Sequence, residues 1–211
     1  KIFPKPHYIV KNANLDLNTK NKDSIAIQVK DLKIFFPIGK LYSKSNIEIN
    51  AIEIEKANFY FKFDDVLEFR SHLYYKINKP IYIKKSKFFF LDRNNKTILI
   101  SPIKKIKYFI NKKNNSKELI IDGNIFDANF ISLWKRYYND PNTSLNEINF
   151  KNPNLFIKNI FSYEDESNFS GNSSISFLKE DILINYFFKD NKIFINSPDQ
   201  NKKQKIKFKS K

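Results

Sequence analysis

Apolar and polar residues alternate with a period of two along most of the chain. Ile25, Ile27 and Val29 set the pattern within Ser24–Lys30. It runs on through Asn46–Asn50, Ile52–Glu55, Asn58–Phe63, Pro80–Lys84, Thr97–Ser101 and Lys105–Ile110. It resumes at Ser174–Phe177, Asp181–Phe188 and Lys192–Ile195, and the tail Lys205–Lys209 repeats it. Successive side chains of a strand point to opposite faces, so this period predicts half-buried strands. At Ala51 the phase changes by one residue, which predicts a bulge or a break between strands. Asp64-Asp65, Asp92–Asn95, Asn111–Ser116 and Asp190-Asn191 are short polar stretches of the kind that close hairpins. The predicted fold class is mostly β: an extended, twisted antiparallel sheet, apolar on one face and polar on the other.

Two segments depart from this period. Asp127 precedes Phe130, Leu133, Trp134 and Tyr137, spaced i, i+3, i+4 and i+7. That spacing predicts a short amphipathic helix over 127–138, capped by Asp127 and stopped by Asp140-Pro141. A second helix is predicted from Asp65, with Val66, Phe69 and Leu73 on one side. A short phrase also recurs: a polar residue, a small residue or Pro, a polar residue, then an apolar run. It occurs at Asn12–Leu17, Lys56–Phe61, Lys85–Phe90 and Asn152–Ile157. The irregular spacing points to repeated strand starts in an extended sheet, not to a compact repeat.

Composition narrows the function. Hydrophobic residues make up 41% of 211 positions, enough for a sizeable core. Cys is absent, which excludes a disulfide framework, a thiolate nucleophile and a Cys-ligated zinc site. The longest apolar runs span four residues, as in Phe88–Leu91, whereas a spanning helix needs about 20. The chain begins at Lys1 and contains no Met, so we read 1–211 as a segment of a longer polypeptide whose anchor lies upstream. The net charge of +16 rests almost wholly on Lys, with Arg only at 70, 93 and 136. Phe, Ile, Asn and Lys dominate together, as A/T-rich codons produce. A phosphate-reading surface draws more on the bidentate fork of Arg, so a nucleic-acid partner is not expected. A basic surface near anionic lipid headgroups is an intermediate reading.

No catalytic constellation is legible. His7 and His72 stand in unrelated contexts, and Glu164-Asp165-Glu166 and Asp64-Asp65 read as solvated turns. Gly39, Gly123 and Gly171 are isolated, so no phosphate-cradling loop is formed. The expectation is a non-enzymatic protein without metal or cofactor. Aromatic load is the distinctive feature, with 22 Phe and 11 Tyr against one Trp. Two readings remain open from periodicity alone. These residues fill an ordinary closed core, or they line an apolar face left partly open for acyl chains. Spacing places Phe59, Phe61 and Phe63 on one side of a strand, and likewise Ile81 with Ile83, Ile98 with Ile100, and Ile182 with Ile184 and Tyr186. All ten are expected to line one common apolar surface.

Four stretches carry a resemblance: Ile54–Phe61, Ile83–Asp92, Ile98–Ile103 and Leu119–Phe126, the last closing with the pattern apolar-x-Gly-x-apolar-Phe. On them, the part from Ile52 to Pro141 resembles AsmA-like proteins of Gram-negative bacteria. The resemblance implies an elongated β-groove, U-shaped in section and apolar inside, in a periplasmic protein anchored in the inner membrane outside this segment. It implies passage of phospholipid between membranes or support of outer-membrane assembly, and it brings no catalytic residues. The alternatives are a closed structural or adhesive β-domain of the cell surface and, third, a basic nucleic-acid-binding protein.

Overall fold

A computed structural model describes residues 5–18, 24–37, 39, 48–62, 77–163, 168–189 and 192–196. They form one sheet of twelve strands that follow one another in space as in sequence. The strands are β1 (His7–Asn18), β2 (Ser24–Phe35), β3 (Ala51–Lys62), β4 (Ile81–Leu91), β5 (Thr97–Asn111) and β6 (Ser116–Ile125). They continue as β7 (Ala128–Tyr137), β8 (Thr143–Phe150), β9 (Leu155–Tyr163), β10 (Phe169–Phe177), β11 (Glu180–Lys189) and β12 (Lys192–Asn196). Among the described residues β1 pairs only with β2, and β12 only with β11, so the sheet is open and not a barrel. The mostly β reading holds. The sheet is mixed, however: β3 and β4 run parallel, and every other neighbouring pair is antiparallel. A parallel pair needs a longer crossover than a tight turn. Asp64-Asp65 therefore does not join these two strands as a hairpin, and those residues lie outside the described part.

The predicted helix over 127–138 is strand β7. Phe126 and Asp127 have φ of 48° and 62°, and Ile125 faces Ala128 across them. That is a two-residue hairpin turn with both residues left-handed, the form that matches strand twist. Asp127 is thus a turn residue and not a cap. Phe130, Leu133, Trp134 and Tyr137 keep a helical spacing in a segment without clean alternation, and pairing to both β6 and β8 overrides it. Phe130 and Trp134 consequently fall on one face, Leu133 and Tyr137 on the other. The second predicted helix, from Asp65, lies outside the described residues, as do Asp190-Asn191 and the tail Lys205–Lys209.

The other turn readings hold. The Asp92 carboxylate accepts the backbone N–H groups of Asn94 and Lys96, both at 2.8 Å. Asn111 does the same for Lys113 and Asn114 at 3.1 and 3.3 Å. Side-chain oxygens of Asp and Asn mimic a backbone turn in this way.

The recurring phrase has a structural meaning different from a strand start. Asn12, Lys56 and Lys85 each adopt a positive φ, of 52°, 56° and 49°, in the middle of their strands. The flanking register places Asn12, Lys30, Lys56, Lys85 and Lys104 at one level of five adjacent strands. In β3 the buried positions are even-numbered as far as Ile54 and odd-numbered from Ala57 onward. In β4 they pass from Ile81 and Ile83 to Ser86, and in β5 from Ile103 to Ile106. One residue per strand is inserted at this line, and the parity of the buried face inverts across it. Because all five insertions lie side by side, pairing stays in register on both sides. The line ends as a bulge between Ile103 and Lys105, where β5 meets β6. The fourth copy of the phrase, Asn152–Ile157, is the turn into β9. The phase change at Ala51 is simply where β3 begins.

The core sits on one face of β2–β6. It comprises Ile27, Val29, Ile54, Ala57, Phe59, Phe61, Ile81, Ile83, Ile103, Ile106, Tyr108 and Leu119. Phe59, Phe61 and Phe88 meet edge-on or stacked, with ring centroids 5.1–6.1 Å apart. Ile77, just before β4, packs on this cluster, and its carbonyl accepts the Tyr108 hydroxyl at 2.7 Å. Burying one such side chain contributes about 1.5–3 kcal/mol, so this half of the sheet holds the fold together.

Candidate functional site: an apolar track on the inner face

We call the face that carries this core the inner face. Register partners define a row that crosses it from β1 to β11: Val10, Leu32, Ile54, Ile83, Ile106, Ile121, Ser132, Ile148, Ile157, Ile175 and Ile182. Ten of these eleven are apolar and eight are Ile. At roughly 4.8 Å per strand the row is about 48 Å long. A second row beside it reads Ile34, Ile52, Ile81, Tyr108, Leu119 and Trp134. Beyond Trp134 it turns polar, with Asn146, Asn159 and Ser173 before Ile184.

The track is best covered in its middle and most exposed at its ends, with Val10 43% exposed. Ile54, Ile83 and Ile106 are at most 8% exposed. Ile148, Ile157 and Ile175 are half-buried, and Ile182 is 53% exposed. Among the described residues no helix and no second sheet lies over β7–β11. The isoleucine row is thus more exposed in this half, while Ser132, Asn146 and Phe161 on the same face are at most 7% exposed.

The structure brings together seven of the ten residues singled out by spacing. Phe59, Phe61, Ile81, Ile83, Ile182, Ile184 and Tyr186 share the inner face, the first four at its closed end and the last three at its open end. Ile98 and Ile100 do not join them. They stand on the opposite face, 64% and 47% exposed, because Ile100 pairs with Phe89 while Leu99 pairs with Phe90 on the inner side. Phe63 lies outside the described residues. Spacing missed Ile148, Ile157 and Ile175; of these only Ile175 lies in a segment of clean alternation, since β8 and β9 show none.

The polar part of the inner face is ordered. Asn159 Oδ1 accepts the Tyr186 hydroxyl at 2.7 Å and the Ser173 hydroxyl at 3.3 Å. Burial raises the Tyr186 phenol above its ordinary value, and its bond to Asn159 opposes this in part. Asn146 is 6% exposed. Ser132, the polar member of the long row, is 3% exposed, and its Oγ has no hydrogen-bond partner among the described residues.

The outer face is charged. Glu53 joins Lys33 at 3.1 Å and Lys84 at 2.5 Å. The Lys84 hydrogen bond holds its carboxyl below the usual carboxylate range, burial opposes this, and the Lys33 bond adds to it. Lys105, beside Lys107 and Lys84, is depressed by its neighbours' charge, that of Lys107 first. Glu118 is buried between β5 and β7, accepting Asn111 and Ser116 at 3.0 Å and facing Lys135 at 3.6 Å. Among the described residues no group of three or more His, Asp or Glu stands close enough to hold a metal. No helix among them is long and apolar enough to cross a membrane. No protein-family model matches the chain, and no curated protein does.

Proposed function

We propose that the chain is a non-enzymatic lipid-binding protein whose inner face takes up phospholipid acyl chains. The observation that carries this reading is the apolar track, broken only at Ser132, buried at β3–β5 and more exposed from Ile148 to Ile182. Each CH₂ removed from water is worth about 0.8 kcal/mol, so even partial cover of a diacyl lipid offsets much of the cost of moving it through water. Such a task needs neither a catalytic group nor a metal. The resemblance to AsmA-like proteins supplies the setting: a periplasmic groove, held at the inner membrane by a segment outside this chain, that conducts phospholipid in support of outer-membrane assembly. The test is mass spectrometry of organic extracts from the purified chain. Stoichiometric phospholipid supports the groove, and an extract free of lipid after incubation with phospholipid vesicles rejects it.

The closed β-domain is the second reading, favoured by the near-complete burial of Phe59, Phe61 and Tyr108. It accounts for β2–β6 but leaves the half-open row from Ile148 to Ile182 without a role.

A further inference from the structure

Ser132 interrupts the long row at its midpoint, between Ile121 and Ile148. Its Oγ is buried and has no hydrogen-bond partner among the described residues. A buried hydroxyl without a partner destabilises the fold, and an apolar residue in this row would not carry that cost. Ser132 is also not isolated. Two residues along β7, Trp134 faces Asn146, which continues into Asn159 and Ser173 on the next two strands. Over β8–β10 the inner face is therefore divided lengthwise. Ile148, Ile157 and Ile175 form an apolar strip, and Asn146, Asn159 and Ser173 form a hydrogen-bonding strip one residue pair away. Tyr186 closes the polar strip through its bond to Asn159.

A plain hydrocarbon would leave this polar strip unmatched. An amphiphile with an oxygenated linkage would match both strips at once. Resting on the lipid-binding reading, we infer that β7–β10 hold a specific site for the ester or carboxyl group of an acyl lipid. The Ser132 hydroxyl donates to the lipid carbonyl, Asn146 stands diagonally beside it on the next strand, Asn159 continues the polar strip one strand further, and the chain lies along the isoleucine strip toward Ile182. The open half of the track thus selects oxygenated acyl compounds over hydrocarbons and fixes which end of the chain lies where.

Two fluorescent polyenes separate the ideas: 1,6-diphenylhexatriene, a hydrocarbon, and methyl cis-parinarate, which carries one ester. Both are titrated into the wild type, Ser132→Val and Asn159→Leu. Loss of one hydrogen bond predicts about tenfold weaker parinarate binding in Ser132→Val, with diphenylhexatriene within about twofold of wild type. Asn159→Leu, which removes the acceptor of Tyr186 and Ser173, should weaken parinarate binding in the same direction, and Ser132→Val keeps the test sound if Asn159→Leu fails to fold. Unchanged parinarate affinity in Ser132→Val, or equal losses for both probes, overturns the ester site while leaving the groove intact. A wild type that binds neither probe overturns the lipid-binding reading itself.

Discussion

The Tyr186 ring lies across Gly171 on the adjoining strand, so closely that a Cβ on Gly171 would stand 2.5 Å from the Tyr186 hydroxyl oxygen and 2.7 Å from its ring carbon. The two are register partners, and the ring covers backbone that a glycine leaves bare. From there its hydroxyl reaches Asn159. We expect Gly171→Ala to push the ring away and break that bond, at a cost of about 1–3 kcal/mol. Tyr186→Phe should cost about 1 kcal/mol, since it removes the bond alone. Denaturant melts of both variants check this, and equal losses would show that the close approach to Gly171 carries no strain.

Position along the track should decide what a charge does. Phe61 is 2% exposed, so Phe61→Glu buries an unpaired carboxylate and should unfold the domain. Ile175 is half-buried in the open half, where the new charge can reach water. Ile175→Glu should keep a β-rich far-UV spectrum and lose lipid pickup from vesicles. A folded Ile175→Glu that loads lipid normally would remove this strip from the binding surface.

Glu53 makes stability depend on pH in a defined direction. Its carboxyl is held below its ordinary value chiefly by the Lys84 hydrogen bond, so the folded state favours the ionised form. The stability it contributes is present above the unfolded glutamate value of about 4.3 and is lost as the pH falls below that, through the depressed folded value. Melting temperature measured from pH 6 to pH 3 (roughly the window around that value) should fall less steeply for Glu53→Gln than for the wild type. Parallel curves would mean the Lys33–Glu53–Lys84 group is electrostatically idle.

Lys-rich charge should make nucleic-acid binding weak and non-selective. Lys84, Lys105 and Lys107 cluster on the outer face, but Glu53 stands among them and Asp122 is the register partner of Lys105. Duplex DNA should bind without sequence preference, and its affinity should collapse between about 50 mM and about 200 mM salt. Tight, sequence-selective binding at the higher salt would promote the nucleic-acid reading over the lipid one.

What the sequence determined by itself is local. Alternation at Ile81–Ile83, Ile182–Tyr186 and Ser174–Phe177 marked strands correctly, since the side-chain period of an extended backbone is two whatever it pairs with. Asp92 and Asn111 announced their turns because their side chains bond the adjacent backbone. The tertiary structure decided everything that depends on a neighbour. Ile98 and Ile100 alternate as cleanly as Ile81 and Ile83, yet pairing with β4 turns them outward. The segment 127–138 carries the helical period, and only hydrogen bonding to β6 and β8 makes it a strand. The left-handed residues Asn12, Lys56 and Lys85 are visible as a recurring phrase, but their alignment across the sheet is a matter of register. The isoleucine row likewise takes one residue from each strand. Its members lie far apart in the chain, and their common face follows from hydrogen-bonded pairing that no local period encodes.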